Sequence, residues 1–241
     1  HIEPDTRQSI QDHGADGFYA EVDPDNSDLA YTESQVGGLR RTSDRGDTST
    51  SIAPGYARPN FANWFQMDPL DSNHMITTAN QVFETLDAPN VTSGSWVEVY
   101  RLGVNPDTDV LYTAKHADVH GSAIYVAACG DCGVTSNDAG FARIIATNVG
   151  GRSAPVSGTS KGWHKASIAG LPSRYIGALE IDHNDPFTVY VGLHGYDSGG
   201  LRGPGAFGDQ NLEDPMVGAG QLWKSTDAAE SFVSIQGNLP H

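Results

Sequence analysis

A strand–turn–strand pattern that recurs along the chain constrains the fold more than any other feature. The stretch VDPDNSDLAY (22–31) returns as MDPLDSNHMI (67–76), VNPDTDVLY (104–112) and IDHNDPFTVYV (181–191). Each copy has an apolar strand end, an Asp or Asn, a polar turn, and a second strand in which apolar and aromatic residues alternate. Four β-hairpins are therefore predicted. The 28 Gly and 13 Pro residues spread through the 241-residue chain favour such short strands over long helices.

A second motif, which we call the clip, follows each hairpin: TSDRGDTS (42–49), TLDAPNVTSGSW (85–96), ATNVGG (146–151) and STDAAESF (225–232). Each clip places Asp or Asn in a tight turn, where its side chain is expected to accept backbone N–H groups. A following aromatic residue would seal the hairpin against its neighbour. The structural residues predicted for the clips are Thr42, Asp44, Gly46, Asp87, Trp96, Asn148, Ser225, Asp227 and Phe232.

A hairpin followed by a clip gives four antiparallel strands, which is the unit that forms one propeller blade. An isolated blade cannot bury both of its faces, so neighbouring blades must stack. We therefore predict an all-β propeller with about four blades, a fragment or one half of a ring that further blades or another chain complete. The predicted units are the end of a preceding blade or a linker (1–16), blade 1 (17–54), blade 2 (55–100), blade 3 with a long insertion (101–170) and blade 4 with a Gly-rich insertion (171–241).

The hairpins and clips together resemble the Asp-box, or bacterial neuraminidase repeat, propellers, especially their sortilin-like and xyloglucanase-like branches. The resemblance covers roughly residues 17–240. The chain departs from the family pattern at Ser49, where a Trp is usual, at Ala229, which replaces a Gly, and at Ala146, where Ser or Thr is usual. The resemblance implies that the Asp turns and the clips share one face of the disc. Ligands would bind on the other face, which carries the links between blades.

Two long insertions, roughly 116–140 and 195–220, are expected on that second face, and long irregular loops in compact domains are often functional. His194, Tyr196, Asp197 and Arg202 in the Gly-rich insertion suit sugar binding, although a flexible surface loop is the simpler alternative. The links add Tyr56, Arg58, Trp64, Arg174 and Tyr175 as candidate ligand-binding residues. Trp64 and Tyr175 stand where innermost strands would begin, so core packing is an equal alternative for them.

The segment HADVH offers a possible metal site. If residues 116–120 are extended, His116, Asp118 and His120 share one side of the strand and could bind Zn²⁺ or another divalent metal. No other cofactor is predicted. Cys129 and Cys132, the only two cysteines, predict a local disulfide in an oxidising compartment; a reduced pair and participation in the metal site are the alternatives.

The charge of the chain narrows the class of partner. With 30 acidic and 14 basic residues, the formal net charge of −16 opposes binding to nucleic acid or to an anionic membrane. A composition rich in Gly, Asp, Asn, Ser and Thr is typical of secreted or cell-surface bacterial proteins. No apolar run is long enough for direct membrane insertion.

The sequence contains no motif that identifies an enzyme. The Gly-x-x-x-x-Gly-Lys pattern of a phosphate-binding P-loop and the Arg-Ile-Pro motif of sialidases are both missing. We therefore predict a non-catalytic extracellular binding or assembly module for a protein or glycan ligand. The alternative is a glycoside hydrolase of the Asp-box propeller type, with a carboxylate pair in a cleft on the insertion-bearing face.

Overall fold

The computed structural model describes residues 15–104, 106, 109, 111–129, 144–150, 162–172, 176–193 and 221–237. Within these residues the chain forms four antiparallel sheets, each of four strands in sequential order. The other regular element described is a short 3₁₀ helix, Ala88–Asn90. The predicted all-β architecture of four-stranded units is thus confirmed, and we refer to the sheets as blades 1 to 4. None of the described residues form a helix long and apolar enough to cross a membrane.

The strands follow each other without crossovers. Blade 1 contains β1 (Gly17–Val22), β2 (Ala30–Ser34), β3 (Gly38–Thr42) and β4 (Thr50–Ser51). Blade 2 contains β5 (Trp64–Asp68), β6 (Asp71–Thr78), β7 (Gln81–Thr85) and β8 (Val97–Arg101). Blade 3 contains β9 (Thr113–His120), β10 (Ala123–Cys129), β11 (Ile144–Thr147) and β12 (His164–Lys165). Blade 4 contains β13 (Ile176–Asp182), β14 (Asp185–Leu193), β15 (Leu222–Ser225) and β16 (Val233–Ser234).

The hydrophobic core lies between the blades rather than within any one of them. The first strands pack side by side, with β5 against β1 and β9, and β13 against β9. Because side chains alternate along a strand, blades 2 and 3 each contribute one face to each of two clusters. Tyr31 and Phe65 belong to the cluster between blades 1 and 2. Ile76 and Val119 belong to the next cluster, and Tyr125 and Ile181 to the third.

Contrary to the sequence prediction, the segment 104–112 does not supply the hairpin of blade 3. Val104 and Leu111 pair antiparallel as an isolated bridge before β9 begins, and neither belongs to a strand of that blade. The hairpin of blade 3 turns instead between His120 and Ala123, where Gly121 takes a positive φ of 59°. Residues 116–120 and 123–129, expected in a surface insertion, therefore belong to β9 and β10. A short turn that contains Gly needs no Asp or Pro, so the search for Asp- and Pro-containing turns did not detect this hairpin.

Candidate functional site

The two ends of the blades carry different features. Gly17 at the start of β1 pairs with Ser34, and Ser34 pairs with Gly38, so the first strand begins beside the β2–β3 turn. The link from blade 1 to blade 2 (52–63) reaches this same end, because the Val36 N–H donates to the Phe61 carbonyl at 2.8 Å. We call this end the link face. It is the end at which the sequence predicted ligand binding.

Five aromatic rings lie in two separate groups toward the link face, on the first strands of blades 1, 2 and 3 and on the link. Tyr19 contacts Trp64 edge to face, with ring centroids 4.2 Å apart, and the Trp64 ring lies 4.1 Å from that of His116. Phe18 and Phe61 form a second edge-to-face pair at 5.3 Å. Together these residues are the aromatic cluster. Phe18 and Phe61 are each 38% exposed, whereas the other three rings are half-buried.

A buried polar layer supports the cluster. The Asn63 N–H donates to Glu33 Oε1 at 3.2 Å, and the Asn60 N–H donates to Asn63 Oδ1 at 3.3 Å. Asn60 Oδ1 in turn accepts the Phe61 N–H at 2.8 Å. All three polar residues are at most 2% exposed. Their hydrogen bonds fix the backbone from which Phe61 and Trp64 project. Glu33 Oε2, Asn60 Nδ2, Asn63 Nδ2 and Trp64 Nε1 make no hydrogen bond among the described residues.

Burial changes the acidity of the groups near this layer. Burial raises the pKa of Glu33 to about 7, against the opposing effects of the Asn63 and Gly37 N–H groups and the Lys115 charge. Burial lowers the pKa of Lys115, although the nearby Glu33 carboxylate partly offsets it. Burial also raises the pKa of Tyr19, with a further contribution from Glu33. The link face therefore holds a carboxyl group that exchanges its proton near neutral pH.

The predicted link residues have different roles. Tyr56 packs inside: its hydroxyl is 2.7 Å from Thr77 Oγ1, and a Cβ on Gly37 would lie only 2.7 Å from its ring. Burial raises the pKa of Tyr56. The Arg58 carbonyl accepts the Thr113 hydroxyl at 3.5 Å. Of the described link residues, only Trp64 joins the aromatic cluster. Arg174, Tyr175, His194, Tyr196, Asp197, Arg202 and the whole insertion 195–220 lie outside the described residues.

The structure does not bring the predicted metal ligands together. His116, Asp118 and His120 do alternate along β9, but His116 contacts Trp64, and Asp118 accepts the N–H groups of Val119 and Ile181. His120 stacks on His183 with ring centroids 4.9 Å apart. No group of three or more His, Cys, Asp or Glu residues in the described part of the chain could hold a metal ion. Cys129 ends β10 and Cys132 lies outside the described residues, so their disulfide stays a prediction.

Two of the four clips have the same hydrogen-bonded geometry. In blade 1, Thr42 Oγ1 donates to Asp44 Oδ1 at 2.8 Å and accepts the Gly46 N–H, also at 2.8 Å. The Asp44 carboxylate then accepts the N–H and hydroxyl of Thr48. Blade 4 repeats this arrangement with Ser225, Asp227, Ala229 and Ser231 in the same order. These bonds lower the pKa values of Asp44 and, despite some burial, of Asp227.

The other two clips use different contacts. Asp87 precedes the 3₁₀ helix and accepts the Asn90 side-chain amide at 2.7 Å. Asn148 reaches across blade 3, where it accepts the Ile124 N–H and donates to the Ser122 carbonyl, both at 2.8 Å.

The aromatic residues near the clips pack on the blade before them. Trp96 Nε1 donates to the carbonyl of Ile52, the residue that follows the last strand of blade 1, at 2.7 Å. Trp163 stacks on Tyr100 of blade 2, and Phe232 is buried in the cluster between blades 3 and 4.

A buried ionic triad, which the sequence did not predict, lies at the end of blade 2 opposite the link face. His74 Nδ1 lies 3.0 Å from Asp68 Oδ2, and His74 Nε2 lies 2.8 Å from Glu84 Oε1. Burial alone would lower the pKa of His74, but the two carboxylates outweigh it and raise the pKa to about 9. Asp68 also accepts the Gly121 N–H at 3.1 Å, so the triad joins blade 2 to the turn of blade 3. The sequence did not reveal this triad, because Asp68, His74 and Glu84 are single polar residues within three different strands and form no recognisable motif.

Comparison with known proteins supports the fold but does not establish a function. No family model and no curated protein matches the chain. Among solved structures, the chain resembles the GH74 xyloglucanase from Xanthomonas campestris, with a TM-score of 0.53 and 14% identity over 90% of this chain and 29% of that one. It also resembles the Niastella koreensis GH74 enzyme, with a TM-score of 0.52 and 14% identity over 88% of this chain and 28% of that one. An ancestral GH74 enzyme gives a TM-score of 0.50 and 15% identity over 93% of this chain and 24% of that one.

The chain therefore has a β-propeller fold, as predicted. It spans less than a third of the length of these relatives.

Proposed function

We propose that the chain is the non-catalytic binding part of a secreted or cell-surface bacterial β-propeller, and that its ligand, a glycan, contacts the aromatic cluster. The observation that carries this proposal is the partly exposed Phe18–Phe61 pair, held on a buried polar layer at the end of the blades. Exposed apolar groups in a fixed position are a common mark of interaction sites. Aromatic rings suit sugars because they pack against the apolar faces of pyranose rings.

The rigidity of the site supports binding. The Asn60 side chain accepts the Phe61 N–H, and Asn63 holds Asn60, so a ligand would meet Phe61 in a position already fixed. Preorganisation of this kind reduces the entropy lost when a ligand binds. The amide NH₂ groups of Asn60 and Asn63, which are buried and make no hydrogen bond among the described residues, would then shape the link rather than touch the ligand.

Affinity electrophoresis and calorimetry against a panel of neutral and acidic polysaccharides test the proposal. Phe61→Ala removes half of the exposed pair, and we expect it to raise the dissociation constant for a bound polysaccharide about tenfold or more. The matched control is Phe187→Ala in blade 4, whose ring is 36% exposed far from the link face. Equal weakening by both variants, or binding that survives Phe61→Ala unchanged, would contradict the assignment.

A glycoside hydrolase is the second candidate. Its specific support is Glu33, because a carboxyl group with a pKa raised to about 7 has the property that a general acid needs. Against this, Glu33 is 1% exposed and already accepts the Asn63 N–H. Release of reducing ends from a polysaccharide that binds, and its loss in Glu33→Gln, would favour hydrolysis over simple binding.

We also propose that the chain belongs among the Asp-box propellers. The support is the repeated clip geometry of Thr42, Asp44 and Gly46 in blade 1 and Ser225, Asp227 and Ala229 in blade 4. In both clips two successive residues take positive φ: Arg45 and Gly46 at 62° and 97°, and Ala228 and Ala229 at 59° and 68°. The sortilin-like or xyloglucanase-like origin of the repeat remains part of this proposal.

A further inference from the structure

Lys115 occupies an irregular position near the start of β9. His116 pairs with Ala127 and Ala114 pairs with Ala128, so Lys115 is an extra residue with no counterpart in β10. Such an extra residue forms a β-bulge, which bends the strand and changes the direction of a side chain. Bulges are frequent next to functional sites. Lys115 is therefore set apart from the regular alternation of β9.

Contacts on both sides of Lys115 place it beside the aromatic cluster. Two residues earlier, the Thr113 hydroxyl donates to the Arg58 carbonyl of the link at 3.5 Å. The next residue, His116, packs its ring 4.1 Å from the ring of Trp64. Lys115 therefore lies at the link face, next to the group of rings that contains Trp64.

The ammonium group of Lys115 has no partner in the part of the chain that the structure describes. The residue is half-buried, and its side chain makes no hydrogen bond or ion pair with a described residue. Burial lowers the pKa of Lys115, and the charge of Glu33 partly offsets this effect. Glu33 lies in the buried polar layer, and its pKa of about 7 leaves it less than fully charged at neutral pH. A half-buried ammonium group with three N–H donors is therefore stabilised by an anion that binds from outside.

The acidic residues of the chain do not prevent an anion from binding at this end. Many of the described Asp residues lie in the hairpin turns and clips at the opposite end, among them Asp25, Asp44, Asp71, Asp87, Asp185 and Asp227. Along β9, the distance from Lys115 to His120 at that end is about 16 Å, at a rise of about 3.3 Å per residue. Salt screens charges over about 8 Å at physiological ionic strength. The net charge of −16 thus opposes an extended polyanionic surface without excluding one anionic group beside Lys115.

We propose that the glycan bound by the aromatic cluster contains a uronic acid, and that Lys115 binds the carboxylate of this sugar. The inference rests on the proposed function and adds the class of sugar to it. The pyranose ring would pack on the aromatic rings while its carboxylate accepts hydrogen bonds from the ammonium group. Charge-assisted hydrogen bonds are about twice as strong as neutral ones, so Lys115 would select acidic over neutral sugars. The half-buried position of Lys115 favours a small planar carboxylate over a bulkier sulfate ester.

Two pairs of polysaccharides test the inference by calorimetry at physiological ionic strength: polygalacturonate and alginate, each compared with its carboxyl-reduced form. Reduction replaces every carboxylate by a neutral CH₂OH group and leaves the sugar rings and their linkages in place. We expect the native chain to bind at least one acidic polymer about tenfold or more tightly than its reduced form. Lys115→Met should remove this difference, because it keeps an apolar stem and loses the charge. Lys115→Arg should retain the difference.

Lys224→Met is the matched control, because Lys224 belongs to β15 of blade 4 and lies over the Tyr190 ring. It should keep the preference for the acidic polymer, and melting temperatures close to that of the native chain verify that the variants fold. The inference is overturned if the native chain binds the acidic and reduced forms equally. It is also overturned if Lys115→Met and Lys224→Met weaken binding alike, or if dextran sulfate binds more tightly than both uronate polymers.

These outcomes are distinct from a failure of the proposed function. If the acidic and reduced polymers bind equally and Phe61→Ala weakens both, the aromatic cluster still binds a glycan and only the uronic acid is wrong. If none of the polymers binds, or if Phe61→Ala leaves all binding unchanged, the proposed function is contradicted and this inference is overturned with it.

Discussion

At the scale of single residues, one hydroxyl group organises the last clip. Ser225 Oγ donates to Asp227 Oδ1 at 2.7 Å and accepts the Ala229 N–H at 2.9 Å, and both Ser225 and Ala229 are buried. Ser225→Ala leaves the Ala229 N–H without its partner. A buried donor without a partner costs about 1–2 kcal/mol, so we expect the free energy of unfolding in urea to fall by that amount.

The adjacent Thr226 provides the control, because it is exposed. Thr226→Ala should change the free energy of unfolding by less than about 0.5 kcal/mol. If both alanine variants lose the same stability, the loss would reflect general disturbance of the turn rather than the bonds of Ser225.

At the scale of elements, the three hairpins that the sequence predicted correctly share a local cause. Asp23, Asp68 and Asp182 each accept the N–H of the residue two positions later, at 2.8–2.9 Å. Such a turn is encoded where it stands, so it is visible in the sequence. The β9–β10 turn instead depends on Asn148, whose amide holds Ser122 and Ile124 from another strand. No pattern within 118–124 could reveal that support.

The residues of the candidate site also fall into two groups: those whose role local sequence reveals, and those whose role depends on contacts between distant segments. Trp64 was predicted as a ligand-binding or core residue because it follows a link and begins an innermost strand, and both facts are local. Glu33, Asn60 and Asn63 were missed because their roles arise from contact between blade 1 and the link, about thirty residues apart in the chain. His116 was expected to bind metal, but the neighbouring blade places Trp64 against its ring.

The buried triad of blade 2 makes a strong prediction for that element. His74→Leu removes the cation between Asp68 and Glu84 and leaves two buried carboxylates without their partner. Breaking a buried ion pair in this way costs about 3–5 kcal/mol, so we expect a loss of that size in urea unfolding. The added changes Asp68→Asn and Glu84→Gln should restore part of the stability, because neutral amides cost less to bury than unpaired charges.

The half-exposed pair of His164 and Glu230 is the comparison for the triad. His164→Leu should cost at most about 1 kcal/mol, because exposed pairs contribute little. A loss of similar size at both histidines, or a triple variant no more stable than His74→Leu, would show that the triad does not act as a buried ionic unit.

At the scale of the whole molecule, several buried groups make stability depend on pH in the same direction. Burial raises the pKa of Glu21 to about 7 and that of Asp118 to about 6. A carboxyl group with a raised pKa binds more protons in the folded than in the unfolded state, so its contribution to stability decreases as pH rises. For Glu21 this contribution is complete below pH 4.5 and is lost by about pH 7.

His74 adds to the same trend at higher pH. Its contribution is complete below pH 6.5 and is lost as pH rises to about 9, because the protonated ring is the form that the two carboxylates bind. Asp68, Asp182 and Asp227 have lowered pKa values, so their contributions are lost only as pH falls below 3.8. We therefore expect the melting temperature to be highest near pH 5 and to fall steadily toward pH 9.

Glu21→Gln tests which groups cause this fall. The Gln side-chain oxygen can still accept the Met67 N–H, but the position no longer ionises beside Asp118. The melting temperature of the variant should therefore fall less steeply than that of the native chain between pH 5 and 7, and equally between pH 7.5 and 9, where His74 dominates. Glu98→Gln, at an exposed ion pair with Arg101, should leave the slope between pH 5 and 7 unchanged. Parallel profiles for the native chain and Glu21→Gln would remove the carboxylates between the blades as the source of the pH dependence.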